Sequence, residues 1–177
     1  MPAIEFIEDA VVDAELDRQL RSLLPVCFNS PGGAIFADRR YFHEPPRWRW
    51  FVRGAPGELI AHVAVHDKVI GTTAGERRIA GIAEVCVHPG HRGHGLVREL
   101  LATAHPWLAA RDIPFAMLFG NDFVYSSSGY QKIANPIRHQ LPENGSWVVE
   151  SVWGAMVKPL RPIDWPSGEV DLRGPKF

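Results

Sequence analysis

One stretch constrains this chain more than any other, the thirteen residues from Val85 to Val97. Up to Val87 it is short, apolar and β-branched, as a buried strand requires. Pro89-Gly90 is a turn signal. From Leu96 onward Leu96, Val97, Leu100, Leu101, Ala104 and Leu108 recur at helical spacing, so a helix is expected to open at about Gly95. The first turn of such a helix has N–H groups without intrahelical partners, and its dipole favours an anion. Gly93 and Gly95 lack a Cβ and let a bulky anion approach the main chain, while Arg92 adds a planar donor fork suited to phosphate oxygens. Strand, basic glycine loop and helix in that order read as a pyrophosphate cradle. The alternative is a strand-to-helix turn whose glycines serve backbone geometry alone. Two other phosphate loops are excluded: there is no Gly-x-x-x-x-Gly-Lys-Ser/Thr run, and no Gly-x-Gly-x-x-Gly with an acidic residue downstream.

Arg92-Gly93-His94-Gly95-Leu96-Val97 resembles the Arg/Gln-x-x-Gly-x-Gly/Ala signature of the GNAT superfamily of acyl-CoA-dependent N-acyltransferases. The last position departs, since Val97 stands where glycine or alanine is usual. Tyr125-Ser126-Ser127-Ser128-Gly129-Tyr130 resembles a second element of that family, Tyr-x-x-x-Gly-Phe/Tyr. The resemblance implies an α+β fold: a single GNAT-like domain over residues 1–177 with the tail 161–177 packed on it. It implies a mixed, mostly antiparallel sheet of about six to seven strands, flanked by helices and splayed between strands four and five. It further implies acetyl-CoA or another acyl-CoA as co-substrate. The main chain of Arg92, Gly93, His94, Gly95, Leu96 and Val97 would hold the pyrophosphate, and the strand edge at Val85, Cys86 and Val87 would pair with the pantetheine arm.

The same resemblance makes Tyr125 the acid that protonates the leaving thiolate. Glu84 is the candidate base, because many relatives use a carboxylate near this place and strand alternation groups it with Ile82, Cys86 and His88. His62, His66 and the terminal carboxylate of Phe177 are other candidates for that role. His88, His91 and His94 flank Arg92, but they lie in a turn without acidic or thiol partners, so they read as decoration of a phosphate loop and no metal is expected. The implied reaction is transfer of an acetyl group to a primary amine within a ternary complex. A longer-chain acyltransferase and a non-catalytic acyl-CoA-binding module are the alternatives. The acceptor would be a small-molecule or peptide amine. The tail from Trp165 to Pro175 is similar to that of nodulation N-acyltransferases and, less closely, aminoglycoside 2′-N-acetyltransferases, which does not choose among acceptors.

Composition bounds the rest. The 177 residues suffice for one domain with a sizeable core, and a hydrophobic share of 46% with 22% charged is ordinary for a globular chain. A formal net charge of -1 supplies no field toward nucleic acid. No apolar run is long enough to span a bilayer, and Met1-Pro2-Ala3-Ile4-Glu5 is not a secretory leader, so a cytoplasmic location is expected. Cys27 and Cys86 are far apart in sequence and form no metal-type pair; Cys86 reads as a packed thiol. An exposed strand in this fold often pairs with a second copy, which leaves a homodimer open.

Along the chain, strands are expected at 4–7, 48–52, 59–70, 77–87, 114–119 and 130–133, with one long strand over 147–157. A helix capped by Asp13 runs over 13–24 and ends at Pro25, and another covers 122–128. The helix from Leu96 should kink or break near His105, because Pro106 follows. Residues 34–42 suggest a short helix, 134–146 a loop. The segment 27–47, with Phe28, Phe36, Tyr41 and Phe42, reads either as a substrate-shaping loop or as an aromatic staple over the core.

Overall fold

The fold is described from a computed structural model covering residues 3–177. Its chain is shared by two compact units, one of residues up to 65 with 83–104, the other of 66–82 with 105–177.

In the first unit β1 (Ile4–Glu8) pairs antiparallel with β2 (Trp48–Arg53), placing Phe6 opposite Trp50. β2 pairs in turn with the start of β3 (Leu59–Thr72), Trp50 opposite Val63. Helix α1 (Ala14–Cys27) opens as expected, with the Asp13 carboxylate accepting from Leu16 N–H at 2.8 Å. Its face of Leu16, Leu20, Leu23 and Leu24 is buried with Phe36, Phe51, Leu59 and Cys86. Each such leucine contributes roughly 1.5–3 kcal/mol, so packing rather than propensity holds the helix. The helix does not stop at Pro25. Proline there removes one bond in the last turn, and Phe28 N–H still closes on the Leu24 carbonyl at 2.8 Å.

β4 (Gly75–Val87) and α2 (Leu96–Ala109) pass through both units. α2 continues through Pro106 without the expected break, its following turn closed by Ala110 N–H on the Pro106 carbonyl at 3.0 Å. The expected helix at 34–42 is instead a 3-10 segment, Pro31–Ala37.

The second unit adds β5 (Phe115–Phe119), the one-turn α3 (Asp122–Tyr125), β6 (Gln131–Lys132), β7 (Ile137–Gln140), β8 (Trp147–Glu150), β9 (Ala155–Pro159) and β10 (Val170–Asp171). Its strand order is β6-β9-β5-β4-β3-β10-β7-β8. β4 with β5 and β10 with β7 are parallel pairs, in a sheet otherwise antiparallel. The described residues form ten strands rather than six to seven. The expected strand 147–157 is two, parted by a turn at Trp153-Gly154, and β7 and β10 arise in stretches read as loop and tail. β10 has two residues and partners far away in sequence, and β7, though it pairs with the neighbouring β8, has only four, so neither carries a strong local signal. The tail packs through Trp165, edge-on to Phe115 at 5.0 Å, and through Phe177, whose ring lies over Gly81 and 5.2 Å from Phe119. The β4–β5 ladder runs from Ile79↔Phe115 to Gly81↔Met117, while β4 goes on to Val87. That early end of the ladder is the splay the fold requires. No helix among the described residues is long and apolar enough to cross a membrane.

Candidate active site

The loop before α2 has the geometry of an anion cradle. Gly93 and Gly95 adopt φ of 80° and 75°, a left-handed conformation that turns successive N–H groups outward at little cost only in glycine. Residues 92–95 are exposed, and a Cβ at Gly93 would meet nothing within 4 Å. Glu99 N–H makes the first intrahelical bond, to the Gly95 carbonyl at 3.1 Å, which leaves the N–H groups of Leu96, Val97 and Arg98 as first-turn donors. Arg92 bonds the Val87 carbonyl through Nε at 3.3 Å. His88 Nδ1 accepts from Gly90 N–H at 3.2 Å, and His94 Nδ1 is 3.1 Å from the His91 carbonyl, so both rings shape the turn.

Glu84 departs from the alternation expected of it. Its φ is 50°, left-handed where a regular strand is extended, and burial runs unbroken from Ile79 to Glu84, so simple alternation does not hold there. A non-glycine residue in this conformation costs about 1–2 kcal/mol and needs anchoring. Three contacts supply it: Phe42 N–H donates to Oε1 at 2.8 Å, Arg49 Nη1 lies 3.5 Å from Oε2, and the Glu84 carbonyl is 3.0 Å from His62 Nδ1. The side chain is only 3% exposed.

Arg49 is the hub of this pocket and is fully buried. It also donates to Asp9 at 2.6 Å, to the Arg40 carbonyl at 2.9 Å and to His62 Nε2 at 3.0 Å. Arg40 reaches Asp9 at 2.9 Å and Asp17 at 2.9 Å, tying α1 into the network. These partners decide the His62 tautomer: Nδ1–H donates to the Glu84 carbonyl, and Nε2 accepts from Arg49. Burial, with the Arg49 charge beside it, lowers the His62 ring to about 3. A neutral imidazole with both nitrogens engaged is no proton acceptor, so His62 leaves the list of bases. Burial pushes Glu84 the other way, up to about 7, against the pull of Arg49 and the Phe42 N–H. That value suits a base working near neutrality.

Tyr125 ends α3, half-buried, with its ring against Gly120 and 6.1 Å from the Tyr130 ring. A Cβ at Gly120 would fall 2.4 Å from the Tyr125 ring, so a larger residue there would displace the tyrosine. Tyr130 O–H is 2.9 Å from His105 Nε2. Burial and Lys158 lower His105 to about 3, so its neutral ring accepts that proton. His66 lies beside Phe177, ring centroids 5.9 Å apart. Among the described residues no cluster of three or more His, Cys, Asp or Glu could hold a metal. A surface hollow of about 470 Å³ beside α1, lined by Arg18, Gln19, Glu58 and His88 among others, contains neither Glu84 nor any of residues 92–97.

The family model for an acetyltransferase (GNAT) domain matches residues 12–133, a span that holds the loop, Glu84 and Tyr125. The chain belongs to the GNAT family. Its members are acyl-CoA-dependent acyltransferases, and acetyl-CoA is the co-substrate of the class. Solved structures with this fold include a GNAT family N-acetyltransferase from Escherichia coli in complex with CoA. That protein is 20% identical, with a TM-score of 0.69, over 97% of this chain and 91% of its own. A GNAT family acetyltransferase from Brucella melitensis in complex with acetyl-CoA is 16% identical, with a TM-score of 0.64, over 96% of each chain. No curated protein matches.

Within this GNAT chain, sequence reasoning missed Arg49, Arg40 and Asp9. The signal was there: an arginine inside the aromatic run Trp48-Arg49-Trp50-Phe51 needs a buried partner, although nothing local says which. The 27–47 segment proves to be stapled, Phe28, Phe36 and Phe42 following one another at 5.3 and 6.1 Å. Phe42 adds what the staple reading lacked, a main-chain bond to Glu84.

Proposed function

We propose that this protein is an N-acetyltransferase moving an acetyl group from acetyl-CoA to a primary amine by direct transfer in a ternary complex, the whole chain acting as one domain. The observation that carries the reading is the open loop at residues 92–97, with two left-handed glycines and the first-turn donors of Leu96 and Val97 beside an arginine. Those groups suit a diphosphate. Arg92, the main chain of Gly93, His94, Gly95, Leu96 and Val97, and the strand edge at Val85, Cys86 and Val87 are the proposed coenzyme contacts. Acetyl-CoA supplies the activated acyl group.

The chain's own residues do the rest. Glu84 takes the ammonium proton so that the amine attacks as a neutral nucleophile; because its carboxyl is buried, the proton passes through one bridging water. Tyr125 gives its phenolic proton to the departing thiolate. A main-chain N–H of residues 85–87 stabilises charge developing on the carbonyl oxygen. Holding both reactants side by side supplies much of the acceleration. The two free thiols suit a reducing cytoplasm.

The test is release of free thiol from acetyl-CoA in the presence of a panel of primary amines. Amine-dependent release is expected, falling by about 10²–10⁴-fold in Glu84→Gln and less in Tyr125→Phe, with coenzyme binding retained in both. Binding without release from any amine would overturn the enzymatic reading.

A further inference from the structure

The tail delivers one aromatic ring to the place where the ladder between β4 and β5 stops. The two strands pair as far as Gly81↔Met117, and β4 runs on to Val87. The Phe177 ring lies directly over Gly81: a Cβ there would be 2.9 Å from its Cδ2 and 3.0 Å from its Cε2 and Cγ. Side chains do not tolerate such distances, so the ring can sit there only because residue 81 is glycine. Glycine inside a strand weakens it and commonly marks close approach by another group. Phe119 of β5 lies 5.2 Å from the ring and His66 of β3 5.9 Å, centroid to centroid, and Lys68 Nζ is 5.9 Å from its centre. Phe177 thus packs against the buried cluster of Ile79, Phe115 and Met117. Ala80, Ala116 and Leu118, which alternation turns to the opposite face, are buried as well.

We propose that Phe177 is a specificity-determining residue, an aromatic stop that limits the acyl group of the coenzyme thioester to a short chain. The inference rests on the function proposed above, which lays the pantetheine arm along Val85, Cys86 and Val87 with its diphosphate at residues 92–97. The acyl end then points back along β4 toward lower residue numbers. Gly81 stands four residues behind Val85, at most about 13 Å at the rise of a strand. An acetyl group ends well short of that point. A hexanoyl or octanoyl chain continues toward it, where β4 and β5 converge.

Three barriers meet a longer chain there. In the plane of the sheet the paired main chains of Gly81 and Met117 leave no gap. On one face Ala80, Ala116 and Leu118 are already packed. On the other, the Phe177 ring covers Gly81, backed by Phe119. Of the three, only the ring comes from outside the two strands. Its removal would open a space without altering the ladder, so its size sets the limit.

The full chain and its Phe177→Ala and Phe177→Leu variants should be titrated calorimetrically with acetyl-, hexanoyl- and octanoyl-coenzyme A, and each melted without ligand. In the parent, affinity is expected to stay level or fall as the acyl chain lengthens. In Phe177→Ala it should rise with length, shifting the octanoyl-to-acetyl affinity ratio by at least about tenfold, because each newly buried methylene adds to binding. Phe177→Leu, which keeps bulk at the position, should fall between the two. A parent that binds octanoyl-coenzyme A more tightly than acetyl-coenzyme A would overturn the stop without recourse to a variant. So would variants that weaken all three thioesters alike, the mark of a residue that only packs the tail; the melting temperature reads that packing separately. Binding of all three with an unaltered ratio would sink the stop and leave the proposed function standing. If neither the thioesters nor coenzyme A bound the parent, the proposed function itself would fall, and the stop with it.

Discussion

The Arg92–Val97 loop and the Glu84 pocket belong to the same unit and are built in opposite ways. The loop is exposed, uses main-chain donors, and draws all its parts from six consecutive residues. The pocket is buried, uses charged side chains, and gathers Asp9, Arg40, Phe42, Arg49, His62 and Glu84 from across 76 positions of sequence. An exposed donor set can lose one member and keep its shape, because water replaces what is lost. A buried charge network cannot, because a partner left alone has no solvent to turn to. The chain therefore sets a loop whose losses should cost little stability beside a pocket whose losses should cost much, and on the function proposed above both losses should reach activity.

Removing the hub should have the largest effect. Arg49→Met leaves Glu84 without a guanidinium and Asp9 with Arg40 alone, and breaking a buried pair from one side costs about 3–5 kcal/mol. A urea titration would read it as a lower midpoint; a loss under about 1 kcal/mol would place the network with exposed ion pairs and dissolve the contrast.

A smaller effect, with a diagnostic sign, is expected from pH. Folded Glu84 titrates at about 7, above its ordinary 4.5, so its contribution to stability is full below pH 4.5 and is lost as pH rises through 7. The amide of Glu84→Gln does not titrate. Relative to the parent, that variant should gain on the order of 2–3 kcal/mol across this window, seen in denaturation midpoints taken at a series of pH values. His62 and His105 act in the opposite direction: both are lowered to about 3, so their contribution is present above 6.5 and is lost as pH falls. Acid should therefore unfold parent and variant alike. A difference that stayed flat with pH would mean Glu84 is not the buried titrating group.

Arg92→Glu should weaken coenzyme binding by about 10–100-fold through the loss of charge-assisted bonds, with stability within about 0.5 kcal/mol of the parent. Calorimetry with coenzyme A and a thermal melt test the two halves separately. The smallest effect is expected at Val97, whose amide donates whatever its side chain. Val97→Ala should raise coenzyme affinity by no more than about threefold; a larger gain would show that the branched side chain, and not only the main chain, shapes the cradle.

The two sites also differ in how far they could be read beforehand. The loop was legible because its turn, its glycines and its helix start are neighbours, and local geometry follows from local sequence. At Glu84 the sequence singled out a candidate residue without its setting. Simple alternation placed it on a regular strand face, but a positive φ at that position turns the carbonyl toward His62 and the carboxyl under Phe42. The split of the 147–157 strand and the pairing of β10 with β3 and β7 were likewise hidden, since short strands are stabilised by partners that only the folded chain brings near. Pro25 and Pro106 show the converse error. A local rule predicted helix ends, and a buried leucine face outweighed one missing hydrogen bond.

By itself, the sequence determined the α+β class, the amphipathic helix with its Asp13 cap, the strand-loop-helix cradle and the family to which the chain belongs. Each depends on residues within a few positions of one another, where spacing and backbone sterics leave few choices. Tertiary structure alone decided that Glu84 is buried and titrates near 7, and that Arg49 joins it to Asp9. Proton affinity is set by desolvation and by charges at a few ångströms, and those distances do not exist until the chain has folded.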